Sequence, residues 1–309
     1  HRPSYLRDLC PSTSPDGHLF ADDPPELGAR AAYAQAAIED VFDALYGRDE
    51  EAPEQLLHVS CTHYESPSAA QRQVVQRGWF EETTVSHLYH MGCYASLPAV
   101  RSAHALNKAG AGRVDIVHTE LCTLHVDTCS HTPEQFVVQT LFADGAIRYS
   151  ALDEASFQAR SSPALELLAQ REILLPDTAD HMTWRLSARH FDMTLSREVP
   201  GQLREHLRPF TEDLFKRAGL DLSRDKNATE FAVHPGGPRI IDTACEALGL
   251  GEDQVAHSRS VLRDRGNMSS ATLPHIWKRI LETSDARYMA TVAFGPGLTV
   301  TGAVFRIHP

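Results

Sequence analysis

The chain has 309 residues, 42% hydrophobic and 23% charged, which is enough for one large α/β domain or two compact globular units. A formal net charge of −12 excludes a protein whose main partner is nucleic acid, because no basic stripe is present to neutralise phosphates. No apolar run reaches the roughly 18 residues of a membrane span, and no signal peptide precedes the first element; the absence of an initiator methionine before His1 reads as a missing start.

An Ala-rich amphipathic helix is predicted over Leu27–Tyr46, followed by a strand at LHVSC, Leu57–Cys61. Ser66-Pro67 has the form of a helix start with proline at the first helical position, and that helix runs to Gly78. A buried strand over Val85–Met91, a helix over Leu97–Lys108 and a strand over Arg113–Glu120 come next, then a helix over Pro133–Leu141 and a strand over Ala146–Leu152. Two extended runs between Leu165 and Leu195, LELLAQREILL and MTWRLSARHFDMTL, resemble an antiparallel pair at the passage between two halves. Beyond it come a helix over Pro200–Ala218, a strand at EFAVHP, helices over Arg239–Leu248, Asp253–Arg265 and Ser269–Thr283, and a hairpin of Tyr288–Ala293 with Leu298–Ile307. Alternation of this kind implies crossover connections and a mostly parallel sheet. Its repetition implies a duplicated α/β unit, residues 1–160 and 161–309, whose strand ends meet at one site.

Three segments carry residue types that packing alone does not ask for. VSHLYHMGCYASLPAV ends a strand at a glycine and places Cys93 just before a helix, where the positive end of the helix favours thiolate over thiol. FAVHPGGPRI delivers His234 from a strand end into a Pro-Gly-Gly turn, and RGNMSSAT places Asn267 between a helix-ending glycine and a new helix. Taken singly, each has a second explanation: a packing thiol, a hydrogen-bonded core imidazole, a helix cap. Their joint placement on corresponding turns of two similar halves favours one site. The other cysteines, Cys10, Cys61, Cys122, Cys129 and Cys245, follow no framework spacing and form no CxxC pair, as expected for reduced thiols in the cytoplasm.

Five ordered motifs, HMGCYASLPAVR, LFADGA, FAVHPGGPRIID, RGNMSSAT and FGPGLTV, resemble the chalcone synthase family, the type III polyketide synthases among the thiolase-fold condensing enzymes. The resemblance runs from about Gln55 to the C-terminus and implies a thiolase-like five-layer αβαβα fold, a homodimer and an acyltransferase. It implies a Cys–His–Asn triad at Cys93, His234 and Asn267: a thiolate that takes the acyl group, and two donors to the enolate oxygen of the second thioester. Phe142 matches a family phenylalanine at the pocket mouth. No cofactor is implied beyond the phosphopantetheine of coenzyme A or of an acyl carrier protein that delivers the acyl groups.

Departures from the family pattern shape the substrate expectation. Met193 stands where a second gatekeeping phenylalanine is found, implying a wider or more adaptable cavity, and Cys122 and His125 replace cavity-lining threonines, which argues against a flavonoid product. The family's first strand and its basic coenzyme A clamp are not found near the N-terminus. Within the family the chain resembles bacterial α-pyrone-forming ketosynthases that interconnect two β-ketoacyl chains, as in the myxopyronin and corallopyronin pathways. In such enzymes a glutamate on the loop matching CTHYESPSAAQ serves the neighbouring subunit as a base, which carries over to Glu65, a residue equally readable as a solvated charge before a helix. Glu120, at a strand end, reads as a structural hydrogen-bond partner. An iterative alkylpyrone or alkylresorcinol synthase using malonyl-CoA is the alternative. The 17 histidines do not form a metal motif: His87 and His90 on one strand point to opposite faces, and His118, His125 and His131 lack a zinc-site context.

Overall fold

The computed structural model describes residues 25–48, 50–127, 132–159 and 162–309; Cys10, Cys129 and His131 lie outside the described residues. In chain order the elements are α1 (Leu27–Leu45), β1 (Gln55–Ser60), α2 (Ala69–Gln76), β2 (Thr84–Tyr89), α3 (Ser96–Lys108), β3 (Arg113–Glu120), α4 (Pro133–Leu141), β4 (Gly145–Leu152), α5 (Glu154–Gln158) and β5 (Ala164–Leu174). They continue with β6 (Met182–Leu186), β7 (Phe191–Leu195), α6 (Val199–Arg217), α7 (Leu222–Asp225), β8 (Thr229–Val233), α8 (Pro238–Leu248), α9 (Ala256–Arg265), α10 (Thr272–Thr283), β9 (Tyr288–Gly295) and β10 (Thr299–His308).

Strands β1, β3 and β9 are buried along almost their whole length, as their unbroken apolar runs require, because both faces of their sheets are covered. One sheet has the order β2-β1-β3-β4 and the other β5-β10-β9-β8. Helices α1 and α2 pack on the outer face of the first sheet, and α6 and α8 on that of the second. Between the sheets lie α3, which touches β1, β3, β4 and β10, and α10, which touches β4 and β8. This is the expected α/β, thiolase-like αβαβα layering. Each central helix is suited to being covered on two sides. In α3 the buried Ala99 and Ala103 let the sheets approach; in α10 Leu273, Ile276, Trp277 and Ile280 recur at helical spacing as one buried stripe. Burying each of those larger side chains contributes roughly 1.5–3 kcal/mol before the ordering entropy is charged against it.

Three expectations are corrected. The sheets are mixed: β1 runs parallel to β2 and β3, but β4 is antiparallel to β3, and in the second sheet only β8 and β9 are parallel. The two extended runs do not pair with one another. β5 pairs antiparallel with β10, while MTWRLSARHFDMTL folds back on itself as the β6–β7 hairpin, with Met182 opposite Leu195. The helix expected at Ser66-Pro67 starts at Ala69, because Ser68 and Gln71 form a capping box that satisfies two backbone donors at that point. Among the described residues, no helix is long and apolar enough to cross a membrane, and no three His, Cys, Asp or Glu side chains group as metal ligands.

Candidate active site

Chain leaves β2 at Tyr89 and reaches Cys93 through two left-handed residues, His90 at φ 61° and Gly92 at φ 85°. Only glycine serves at the second, since a Cβ there would sit 2.6 Å from Pro296 Cδ. The FGPG turn between β9 and β10 thus presses directly on the nucleophile loop. Gly295 makes the same contact possible from the other side, because a Cβ on it would overlap the ring of Tyr94.

Cys93 is half-buried and opens into a cavity with Phe142, Trp184, Phe191 and Met193 among its apolar walls. Asn267 reaches the same place from the other half. Its backbone N–H donates to Leu141 O at 2.9 Å and its carbonyl accepts from Ala143 N at 2.8 Å, so it forms a bridge with Phe142. Asn267 Oδ1 accepts from Ser269 N at 3.0 Å and Thr272 Oγ1 at 3.4 Å, which fixes the amide with its NH₂ free to donate. That amide and the Ser269 side chain lie beside the Cys93 thiol and favour its charged form. His234 follows β8, is buried, and packs on the next turn: Gly237, three residues on, sits against the side chain of Leu141. Among the described residues neither ring nitrogen of His234 has a hydrogen-bond partner, and the ring does not line the cavity of Cys93.

Burial controls the charges. It pushes the Cys93 thiol up to about 12, with Glu120 adding to the rise and the Ser269 and Asn267 bonds opposing it. It pulls the His234 imidazole down to about 3. Each group therefore resists charging in its buried surroundings, the thiol favouring its protonated form and the imidazole its neutral one. The sequence reading gave the helix end a share in holding the thiolate; α3 begins three residues after Cys93, and the Ser269 and Asn267 side chains and the Cys93 backbone N–H also favour the charged sulfur.

The remaining expected residues are placed as follows. Cys122 and Met193 line the cavity. His125 also borders it, but both ring nitrogens are taken: Nε2 donates to Thr62 O at 2.6 Å and Nδ1 accepts from Phe191 N at 3.1 Å, so it offers a substrate only its ring. Glu65 is exposed and lines neither cavity of its own subunit. Glu120 is buried and accepts from Cys61 N at 3.0 Å, Thr62 Oγ1 at 2.9 Å and the Ser270 hydroxyl, the structural partnership its strand-end position implied. His90 lies beyond the end of β2 and not on it, so the alternating-face argument does not apply.

With this geometry in hand, the likeness to known proteins is decisive. The model for the N-terminal domain of chalcone and stilbene synthases matches residues 2–150, and that for their C-terminal domain matches residues 166–309. The chain belongs to the chalcone and stilbene synthase family. It is an acyltransferase of the type III polyketide synthase kind, whose condensations are of the Claisen type. Bisdemethoxycurcumin synthase of Oryza sativa subsp. japonica is 31% identical over 313 residues, covering 96% of this chain and 75% of that protein. The 1,3,6,8-tetrahydroxynaphthalene synthase of Streptomyces griseus is 29% identical over 280 residues, covering 88% and 73%. Among solved structures, the 1,3,6,8-tetrahydroxynaphthalene synthase of Streptomyces coelicolor A3(2) superposes with a TM-score of 0.81 at 23% identity, over 93% of this chain and 83% of that one. The type III domain of Steely1 from Dictyostelium gives 0.79 at 23% identity, over 91% and 80%.

Sequence reasoning about this family member missed Ser269, Cys61, Trp184 and Phe191. Ser269 holds φ at 48°, unusual for a residue with a side chain, and so turns its hydroxyl to the thiol. Its place two residues after Asn267 in RGNMSSAT was the available signal.

The buried imidazoles carry a prediction for stability. His58, His118, His125 and His234 are each lowered to about 3, mainly by burial. The folded state holds them neutral, so their contribution is complete above the unfolded value near 6.5 and is lost as pH falls toward 3. Glu120 and Glu230, both raised by burial, act in the opposite sense but are two groups against four. Urea midpoints should therefore fall steadily from pH 7 to pH 4.5. A midpoint that holds level or climbs over that range contradicts the assignment.

Proposed function

We propose that this synthase loads an acyl group on Cys93 and condenses it with a second β-ketoacyl thioester, joining two chains into a product that closes as an α-pyrone. One observation carries the reading. The thiol opens into a largely apolar cavity with the Asn267 amide and Ser269 beside it, the donors an acyl-thioester and an enolate need. Among the described residues lining that cavity there is no Asp, Glu, Lys or Arg, and the one imidazole, His125, has both nitrogens engaged. Nothing there activates water, which favours condensation over hydrolysis.

The same observation gives the alternative its footing. Joining two β-ketoacyl chains without loss of CO₂ requires a base to remove a proton between two carbonyls, whereas iterative extension with a malonyl thioester forms its enolate by decarboxylation and requires none. The first reading therefore needs a carboxylate delivered from outside, and we assign it to Glu65 of a second subunit in a homodimer. Incubation with β-ketoacyl and malonyl thioesters, each on coenzyme A and on a carrier protein, with intact mass and product analysis, tests this. A pyrone from two β-ketoacyl thioesters supports joining, a pyrone or resorcinol only with malonyl donors supports iteration, and a free acid as sole product overturns both.

Glu65→Ala should load normally but fail to condense β-ketoacyl thioesters, and mixing it with Cys93→Ala should restore activity. After random subunit exchange about half the dimers are mixed, each with one complete site, giving about a quarter of wild-type activity. No recovery despite verified exchange means that Glu65 does not act across the interface.

A further inference from the structure

Hydrogen bonds run in a closed circuit beside Cys93, and none of its members belongs to the triad. His90 Nε2 donates to the Trp184 carbonyl at 2.8 Å. Because a carbonyl only accepts, the proton is on Nε2, and Nδ1 is left to accept from Tyr64 Oη at 3.3 Å. Trp184 Nε1 donates to Cys61 O at 2.7 Å, and the Cys61 sulfur accepts from Gly92 N at 3.0 Å. Gly92 is two residues from His90, so the circuit closes on the nucleophile loop. The imidazole also packs edge-on against Phe191, with ring centroids 5.7 Å apart. Trp184 and Phe191 belong to the β6–β7 hairpin, which contributes Met182, Thr183, Trp184, Phe191 and Met193 to the cavity wall. His90 adopts a left-handed backbone at φ 61°, a conformation that costs an ordinary side chain of order 1 kcal/mol and that glycine adopts freely. A side chain retained there has a task that glycine does not perform.

We propose that His90 is a positioning residue that ties the β6–β7 hairpin to the nucleophile loop, so that the apolar wall over Cys93 is held at a fixed distance from the sulfur. It touches no reacting atom. It acts through the Trp184 carbonyl and the Phe191 ring, and its consequence is a closed, water-poor chamber around the acyl chain. The inference rests on the reading of Cys93 as the acylated group, but the clamp itself has a readout independent of any reaction.

His90→Gly keeps a relaxed backbone and removes the imidazole; His90→Gln restores a side-chain N–H that reaches for the Trp184 carbonyl. In His90→Gly, amide hydrogen exchange in the peptide spanning residues 182–195 should rise about tenfold, while exchange in β3 and α10 stays as in the wild type. Tyr64→Phe, which frees Nδ1 without altering the loop backbone, should raise the same peptide about threefold. Alkylation of Cys93 by iodoacetamide should change less than about twofold, whereas kcat/KM for acyl thioesters falls about tenfold, mainly through KM, and the share of free acid grows. His90→Gln should recover most of both the exchange protection and the KM. Unchanged exchange over residues 182–195 in both His90→Gly and Tyr64→Phe overturns the clamp. So does His90→Gln behaving like His90→Gly, or alkylation falling as far as condensation, which would place His90 on the thiol itself. If the wild-type protein takes no acyl group on Cys93, the acyl-transfer reading fails while the exchange measurements still decide the clamp.

Discussion

Cys93→Ala abolishes covalent loading and every product: that is the expected result, and it is the largest effect of any single substitution in this protein. The difficulty is that Cys93 is not alone. Cys61 and Cys122 line the same cavity, so an acyl group found on the protein is not by itself an acyl group on Cys93. Physical chemistry separates the three. Burial raises all of them, and Cys61 and Cys122 go well above the ordinary thiol range. Ser269 acts on both Cys61 and Cys93, but of the three only Cys93 also has the Asn267 amide to steady a developing negative charge on sulfur. The Cys61 sulfur is committed to Gly92, accepting from its N–H and donating to its carbonyl at 3.2 Å. Cys122→Ser should therefore load at close to the wild-type rate. Loading is read by intact mass and the site by peptide mapping. A Cys93→Ala protein that still shows the full mass shift, mapped to Cys122, would move the nucleophile to that residue.

How far the site could be read in the sequence depends on how local its determinants are. The strand–Gly–Cys–helix order around Cys93, the strand delivering His234 and the boundaries of β3 and α4 are written in neighbouring residues, and the structure places them as expected. Pairing between distant segments is not local. Nothing in LELLAQREILL indicates that its partner is β10, some 130 residues away, because an extended run looks the same whichever edge it joins. The β6–β7 hairpin was hidden for a related reason: its turn residues, Ser187 to His190, carry no Asn-Gly or Asp-Gly signal. At Ser269 and His90 the chain adopts left-handed backbone with side chains that do not advertise it. The tautomer of His125 depends on two backbone groups, Thr62 O and Phe191 N, brought together only by the fold. Such features decide the chemistry yet leave little trace in composition or period, whereas the layered core leaves a strong one, as the Leu273, Ile276, Trp277 and Ile280 stripe does.

The second large effect separates Asn267 from His234. Asn267 turns its NH₂ toward the Cys93 thiol because Oδ1 is held by Ser269 N and Thr272 Oγ1. Asn267→Ala removes the amide N–H without adding charge, whereas Asn267→Asp would set a carboxylate beside the thiol and oppose the thiolate. We expect Asn267→Ala to load Cys93, with Ser269 still acting on the sulfur, but to condense about 10²–10³ times more slowly, the usual cost of removing one oxyanion donor. His234→Ala should impair both steps if the imidazole first takes the thiol's proton and then donates to the enolate, the role that the family resemblance implies. Burial lowers this imidazole to about 3 and so keeps it neutral at rest. Single-turnover kinetics resolve the two steps: loading is followed by mass, condensation by product release from pre-loaded enzyme. Asn267→Ala failing at loading as severely as His234→Ala, with no further loss in condensation, would show that the amide serves the thiolate alone, and the enolate assignment would fall.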